Sequence, residues 1–123
     1  MKILIACDKF KGSLSADSVC ASIEKGLLSV DNSLEITVQP LADGGDGSLE
    51  IVKKLRKLDQ VELLVSNPIG KKVKAFYLTD GHEAFVELAT ASGISLLENH
   101  QKNPLITSTV GTGEIIRNAI EKG

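Results

Sequence analysis

The segment Ala42-Asp43-Gly44-Gly45-Asp46-Gly47-Ser48 decides the fold prediction, because it separates two different periodic patterns. Residues 34–39 alternate apolar and polar side chains as a strand does, and residues 49–58 have the spacing of a helix. A glycine-rich turn between a strand and a helix lets backbone N–H groups approach an anion. Its two carboxylates would repel a bare phosphate, but they suit a phosphate that arrives with a divalent cation, or a polyhydroxy substrate. No Gly-Lys-Ser/Thr ends the segment, so it is not a Walker A loop.

A second loop of the same kind lies near the start of the chain. Residues 2–6 have the pattern of a short buried strand, and a helix is predicted to begin with Ser15 as its N-cap. Two consecutive strand–loop–helix units predict parallel strands with right-handed crossovers, and ligands of such sheets bind outside the carboxyl ends of the strands. We therefore expect the following side chains to share one edge of the sheet: Asp8, Lys11, Ser13, Asp43, Asp46 and Ser48.

Each loop residue also has a purely structural interpretation, as a turn former, a helix cap or a solvated surface charge. That interpretation stays open for Gly44, Gly45, Gly47, Asp8, Asp43, Lys9 and Lys11. The occurrence of two acidic loops with glycine and serine at equivalent places nevertheless favours a binding or catalytic site.

Composition excludes several classes of function. A net charge of −2 with dispersed basic residues, together with only 3% aromatic residues, argues against a nucleic-acid-binding surface. No apolar run approaches the roughly 18 residues of a membrane span. Cys7 and Cys20 lack the spacing of a metal site, and His82 and His100 are isolated. With Met1-Lys2 leading directly into a strand, these features predict a cytoplasmic protein.

The pattern of the chain changes near Asn67. A third strand, predicted at residues 61–66, completes a βαβαβ series, and Asn67-Pro68-Ile69-Gly70 is then a strong turn signal. Residues 72–88 have the pattern of a β-hairpin that turns at residues 79–82. A change from parallel units to a hairpin often marks a domain boundary.

The predicted fold class is therefore α/β, with an open parallel Rossmann- or flavodoxin-like βαβαβ start followed by a second mixed α/β domain. Residues 1–66 are assigned to the first domain, and residues 67–123 to the start of the second. Because residues 67–123 supply too few elements to close a sheet, we expect the chain to be an N-terminal fragment of a longer protein.

The second half of the chain has a candidate site of its own. Glu87 is predicted at a strand end, and the small residues up to Gly93 permit close backbone approach. Residues 103–114 are rich in threonine and lead into a helix that is expected to end at Gly123, with Thr112 as a possible cap. The plain alternatives are a solvent-facing carboxylate and an ordinary capped helix after a linker.

Together the motifs resemble those of the glycerate kinase type I family. Its Asp-x-Phe/Tyr-Lys-x-Ser-Leu-Ser-Ala motif is matched by residues 8–16, its Ala-Asp-Gly-Gly-Glu-Gly-Thr motif by residues 42–48, and its Thr-Gly-Pro-Leu-Gly turn by residues 67–70. Residues 87–93 and 103–114 look like two further family motifs. The five motifs follow the family's order, and together they are highly specific.

Four positions depart from the family pattern. Cys7 stands where the family often has proline, and Lys9 stands where serine is frequent. Asp46 and Ser48 replace glutamate and threonine, so the charge and the hydroxyl are kept on shorter side chains. These departures leave the family resemblance intact, but they leave open what Asp46 contacts.

The resemblance implies ATP-dependent phosphorylation of D-glycerate to a phosphoglycerate, in a cleft between two α/β domains of which the second is inserted into the first. Phosphoryl transfer needs a carboxylate to orient or deprotonate the hydroxyl, Mg²⁺ on the phosphates and a cation for anionic groups. Asp8, Asp43 and Lys11 are the candidate catalytic residues, and Asp43 and Asp46 are candidate metal ligands. The candidate substrate- or nucleotide-binding residues are Ser13, Gly44, Gly45, Asp46, Ser48, Glu87, Ser92, Thr107 and Thr112.

Two other functions stay open at this point. The chain can be a truncated, non-catalytic piece that binds a partner or nothing. It can also be a receiver domain that is phosphorylated on Asp8, although the hairpin after residue 70 disfavours that fold.

Overall fold

A parallel strand pair organises the first of two units in the computed structural model, which describes residues 1–123. In this unit, Met1–Ile51, strand β1 (Lys2–Ile5) pairs in parallel with strand β2 (Glu35–Val38). Parallel neighbours need a crossover connection, and helix α1 (Ala16–Val30) provides it. The predicted α/β class with a parallel strand pair at its start is therefore confirmed.

Helix α1 begins where the sequence predicts. Ser15 is extended, with φ −65° and ψ 159°, and its side-chain oxygen accepts a hydrogen bond from the N–H of Ser18 at 3.2 Å. This geometry is typical of an N-cap, and Asp17 adds a favourable negative charge to the first turn. Val19 and Cys20 are buried on the side of the helix that faces the strands.

Helix α2 (Ser48–Leu55) follows the glycine-rich segment and crosses the division between the two units. It is shorter than the predicted helix at residues 49–58, because the chain already enters the next strand at Asp59. Lys53 and Lys54 lie in its last turn, where positive charge is favourable at the carbonyl end of a helix.

The second unit, Val52–Gly123, contains an antiparallel sheet of strands β3 (Asp59–Ser66), β4 (Lys72–Thr79) and β5 (Ala84–Phe85), in that order. The third strand thus exists as predicted, but the expectation that it extends the parallel sheet is wrong, since it pairs with β4 over its whole length. The reason is the short connection between these strands, which permits only an antiparallel hairpin.

The turn at Asn67 closes this hairpin. The side-chain oxygen of Asn67 accepts hydrogen bonds from the N–H groups of Ile69, at 3.1 Å, and Lys71, at 2.9 Å, and Gly70 has a φ of +80°. A positive φ is easily adopted only by glycine, so the turn signal in the sequence is confirmed. The predicted domain limit between residues 66 and 67 concerns the whole protein and stays a prediction.

After β5 the chain is helical rather than extended. The predicted returning strand at residues 83–88 is reduced to two residues, because the chain turns into helix α3 (Ala89–Ser92). Two short 3₁₀ turns follow at Ile94–Leu96 and Asn99–Gln101, and helix α4 spans Val110–Lys122. None of the helices combines the length and the apolar character that crossing a membrane requires.

The core of the second unit lies where α3 and α4 pack on the sheet. It is formed by five buried side chains: Val65, Ala75, Tyr77, Ala91 and Ile115. The packing is closest at Gly111, where an added Cβ would lie 1.7 Å from the carbonyl oxygen of Ser66. Glycine at this position therefore lets α4 lie directly against the end of β3.

Candidate functional site

The loops that follow β1 and β2 leave the sheet at the same edge. Beyond the strands, the carbonyl of Ile5 accepts a hydrogen bond from the N–H of Gln39 at 2.8 Å, and the carbonyl of Cys7 accepts one from Leu41 at 2.9 Å. The parallel pairing thus continues up to the residues just before Asp8 and Asp43. These two carboxylates therefore start from neighbouring positions at the carboxyl ends of the strands.

The glycine-rich segment is a tight turn that Asp43 helps to close. Gly44 and Gly47 have φ values of +92° and +95°, a conformation that other residues adopt at a cost. Oδ1 of Asp43 accepts a hydrogen bond from the N–H of Gly45 at 2.8 Å, and Oγ of Ser48 donates to the carbonyl of Gly45 at 2.6 Å. Asp43 thus has the structural role that the sequence left open while its second oxygen makes no such bond, and Ser48 supports the same turn.

Lys9 joins the two loops, and the sequence interpretation missed it. Its Nζ lies 2.7 Å from Oδ2 of Asp46 and also donates to the backbone carbonyl of Asp46, while its side chain is only 20% exposed. The backbone N–H of Lys9 donates to Oδ1 of Asp8 at 2.6 Å. Lys9 therefore ties the Asp8 loop to the glycine-rich segment and neutralises Asp46.

Lys11 and Ser13 lie in a turn of the same loop. The N–H of Ser13 donates to the carbonyl of Phe10 at 2.9 Å, and Gly12 has a φ of +73°. Lys11 is exposed and has neither a hydrogen-bond nor an ion-pair partner. Its ammonium group is thus available to an anion, as the sequence interpretation requires, but the spacing alone could not distinguish it from Lys9.

The candidate metal ligands Asp43 and Asp46 are both engaged in other contacts. Nowhere in the chain do three histidine, cysteine, aspartate or glutamate side chains come together as they would around a metal ion. One oxygen of Asp43 is occupied by Gly45, and Asp46 is paired with Lys9. Magnesium is usually held by only one or two protein carboxylates together with phosphate and water, so a magnesium site at Asp43 and Asp46 stays a prediction.

The second unit contains a cavity of about 540 Å³, which brings together Ser92 and Thr107 of the predicted site. The hydrogen bond from the N–H of Ser108 to the carbonyl of Pro68, at 2.9 Å, holds the threonine-rich segment beside the turn that follows β3. The other residues that line this cavity are Pro68, Ile94, Leu97, Lys102, Asn103, Pro104, Ser108 and Thr109.

Thr112 supports this cavity from within helix α4. The expectation that it caps the helix is wrong, because Thr109 occupies the N-cap position and the helix already begins at Val110. The hydroxyl of Thr112 lies 2.6 Å from that of Ser92 and 3.4 Å from the carbonyl of Leu88. Thr112 therefore fixes the side chain of Ser92 at the cavity wall.

Glu87 is buried, with only 6% of its surface exposed, so the alternative of a solvent-facing carboxylate is wrong. The backbone carbonyl of Glu87 accepts two hydrogen bonds from Thr90, one from its N–H at 3.3 Å and one from the Thr90 hydroxyl at 2.8 Å. These bonds form the turn that starts α3. The residue lies outside the lining of the cavity.

Glu114 is a second residue that the sequence interpretation missed. Its carboxylate accepts hydrogen bonds from the N–H of Ser66 at 2.7 Å and from the hydroxyl of Ser66 at 3.0 Å, and Lys72 lies 3.4 Å away. The bonds from Ser66, with a smaller contribution from the charge of Lys72, hold the pKa of Glu114 below its usual value. Glu114 thus anchors α4 to the end of β3.

Comparison with known proteins agrees with the motifs. The Glycerate kinase family matches this chain over residues 3–123. A glycerate kinase of Bacillus subtilis (strain 168) is 42% identical, and a glycerate 2-kinase of Escherichia coli (strain K12) is 40% identical. In both cases the match covers 100% of this chain and 33% of the relative.

A solved structure gives the same result. A crystal structure assigned to glycerate kinase 2 from Salmonella typhimurium LT2 is 41% identical and superposes with a TM-score of 0.69, covering 100% of this chain and 34% of that chain. The chain therefore spans about a third of the length of these relatives. Since family, relatives and structure agree over almost every residue, the chain belongs to the glycerate kinase family.

Proposed function

We propose that the chain belongs to an enzyme that transfers a phosphoryl group from ATP to a hydroxyl of D-glycerate and so forms a phosphoglycerate. Within the glycerate kinase family, the observation that carries this proposal is the common origin of the Asp8 and Asp43 loops at one edge of the parallel strands. Ligands of such sheets bind at this edge. Carboxylates there suit an acceptor that presents hydroxyl groups.

Asp43 is the proposed residue that orients or deprotonates the attacking hydroxyl. Its Oδ1 is held by the N–H of Gly45 at 2.8 Å, so the carboxylate has a fixed orientation while its second oxygen can accept a proton. Phosphoryl transfer depends mainly on such positioning. Asp8, fixed by the N–H of Lys9 at 2.6 Å, is the alternative residue for the same step.

Lys11 is the proposed ligand of the glycerate carboxylate or of a phosphate oxygen. It is the exposed lysine of the loop and it has no ion-pair partner, whereas Lys9 is engaged with Asp46. A free ammonium group in the same loop as Asp8 lowers the repulsion that an anionic substrate would otherwise meet. Ser13 stands two residues away and can donate a hydrogen bond to the same ligand.

Mg²⁺ enters this proposal as part of the Mg·ATP co-substrate. The chain contains no cluster of three metal-ligating side chains, and no step assigned to its residues depends on a resident ion. The bound cation would neutralise phosphate charge when the nucleotide is present.

The proposal is tested by a coupled ADP-release assay with D-glycerate on the intact gene product, with the phosphorylated oxygen identified by NMR. We expect ADP release that depends on D-glycerate, and a phosphoglycerate as the product. ADP release without a phosphoglycerate, or no release at saturating substrates, would refute the proposal. Residues 1–123 alone are expected to be inactive, because they cover a third of the relatives and catalytic groups must converge to react.

A further inference from the structure

The cavity of the second unit is lined by hydrogen-bond donors and by one positive charge. Lys102 is the only charged residue in its wall, and no aspartate or glutamate lines it. One N–H of Lys102 donates to Oδ1 of Asn99 at 2.9 Å, which leaves two N–H groups of the ammonium for a ligand. Thr107, Ser108 and Thr109, which carry hydroxyl groups, line the same cavity. This lining is suited to oxygen atoms that carry negative charge.

The rest of the cavity wall is apolar, so the cavity favours an anion that also has an apolar part. Ile94, Leu97, Pro68 and Pro104 contribute carbon surface, and Ile94 is 68% exposed although it lines the cavity. A volume of about 540 Å³ lies within the usual range of pockets for ligands much larger than glycerate. Glycerate is small and polar throughout, so it would leave this carbon surface in contact with water. A nucleotide presents both a flat apolar base and a charged phosphate chain.

The loops of the first unit have the opposite character. Asp8, Asp43 and Asp46 place carboxylates there, and the charge of Asp46 is already balanced by Lys9. With Lys11 as the one free cation, Asp8 and Asp43 leave these loops with a net negative charge, which repels a triphosphate more strongly than the singly charged glycerate, whose hydroxyl groups can donate to the carboxylates. The charges of the loops and of the cavity therefore favour different ligands: the loops favour hydroxyl groups, and the cavity favours phosphates.

We propose that the cavity of the second unit binds the adenine nucleotide, with Lys102 on its phosphates and Ile94 and Leu97 against its base, and that it does not bind glycerate. The identity of the nucleotide as ATP rests on the proposed function. Neither Lys102 nor this division of the two substrates was expected from the sequence.

The test is calorimetric titration of the intact gene product with ATP, adenosine and D-glycerate in separate experiments. We expect Lys102→Met to weaken ATP binding by about 10- to 100-fold, the effect of losing a hydrogen bond to a charged group, and to leave adenosine binding unchanged. Ile94→Asp should weaken the binding of both ATP and adenosine. Lys74→Met is the matched control, because Lys74 is an exposed lysine of the same unit outside the cavity.

Lys102→Arg keeps the charge and is expected to restore ATP binding, which separates loss of contact from misfolding. ATP binding that is unaffected by both Lys102→Met and Ile94→Asp would overturn the inference, as would a D-glycerate affinity that falls with Lys102→Met. The proposed function is decided independently by product formation. If the protein is an active kinase and neither variant changes its ATP affinity, only the proposed location of the nucleotide is refuted. ATP binding through Lys102 without phosphoglycerate refutes only the reaction.

Discussion

Replacement of Gly111 by alanine should destabilise the second unit, because the added methyl group has no space. A Cβ built on Gly111 would lie 1.7 Å from the carbonyl oxygen of Ser66, 2.9 Å from its carbonyl carbon and 3.3 Å from Cβ of Ala91. Non-bonded heavy atoms need about 3.5 Å, so the first turn of α4 would have to move by more than about 1 Å. The obstacle is backbone at the end of a fully paired strand, which cannot rotate away as a side chain can.

The size of the effect follows from two opposing contributions. Overpacking a well-packed core costs about 1–3 kcal/mol, whereas alanine in place of glycine within a helix gains about 0.5–1 kcal/mol. Movement of α4 would also stretch the 2.7 Å hydrogen bond between Ser66 and Glu114. We therefore expect a net loss of about 2 kcal/mol, or a fall in melting temperature of about 8–16 °C for a domain of this size.

The same helix contains a matched control. Gly113 also lies in α4, but a Cβ there would have no heavy atom within 4 Å, so Gly113→Ala should raise stability by about 0.5–1 kcal/mol. Urea unfolding of the 123-residue chain can be followed by the fluorescence of Tyr77, its only tyrosine, which is 2% exposed in the core. If Gly111→Ala unfolds at the same urea concentration as Gly113→Ala, the close packing of α4 on β3 is wrong.

Three further results are expected. In the intact gene product, Asp43→Asn should lower kcat by about 100-fold or more, which is the scale of one lost acid–base or electrostatic contact. Near-normal turnover of this variant would mean that Asp43 serves only to form the turn. Lys11→Met should raise the KM for D-glycerate or ATP in steady-state kinetics. Unchanged KM values for both substrates would mean that Lys11 is an ordinary solvent-exposed lysine. Because the pKa of Glu114 is lowered in the folded state, its carboxylate stabilises the fold above the ordinary pKa of 4.5, and this stabilisation is lost as the pH falls through the lowered value. The urea midpoints of wild type and Glu114→Gln should therefore converge in acid, and a constant gap would contradict the assigned bonds.

The features that the sequence predicted correctly are those with local causes. Ser15 caps α1 through a bond to a residue three positions away, and Gly44 and Gly47 adopt positive φ values within a single turn. The parallel pairing of β1 and β2 follows from one βαβ unit whose connection is itself a helix. Residue types and short spacings are sufficient to specify such features.

The features that it missed depend on contacts between distant parts of the chain. Strand β3 has the same alternating pattern whether it joins the parallel sheet or pairs with β4, and the short turn at Asn67 decides between the two. Glu114 meets Ser66 across 48 positions, which no local spacing indicates. The capping role of Thr112 was predicted wrongly because Thr109, three residues earlier, is an equally good N-cap by residue type, and α4 begins directly after it.

The contact between Lys9 and Asp46 explains two departures from the family pattern together. Both positions differ from the residues that the family resemblance leads one to expect, and the structure joins them by an ion pair of 2.7 Å although 37 positions separate them. The shorter aspartate retracts its carboxylate by one methylene group, and the long side chain of Lys9 reaches it and neutralises it. A carboxylate that is already paired with one cation attracts a further cation less strongly. Among the acidic residues of the two loops, the charges that remain for chemistry are therefore those of Asp8 and Asp43, which is why the proposed step on the acceptor hydroxyl is assigned to these two residues.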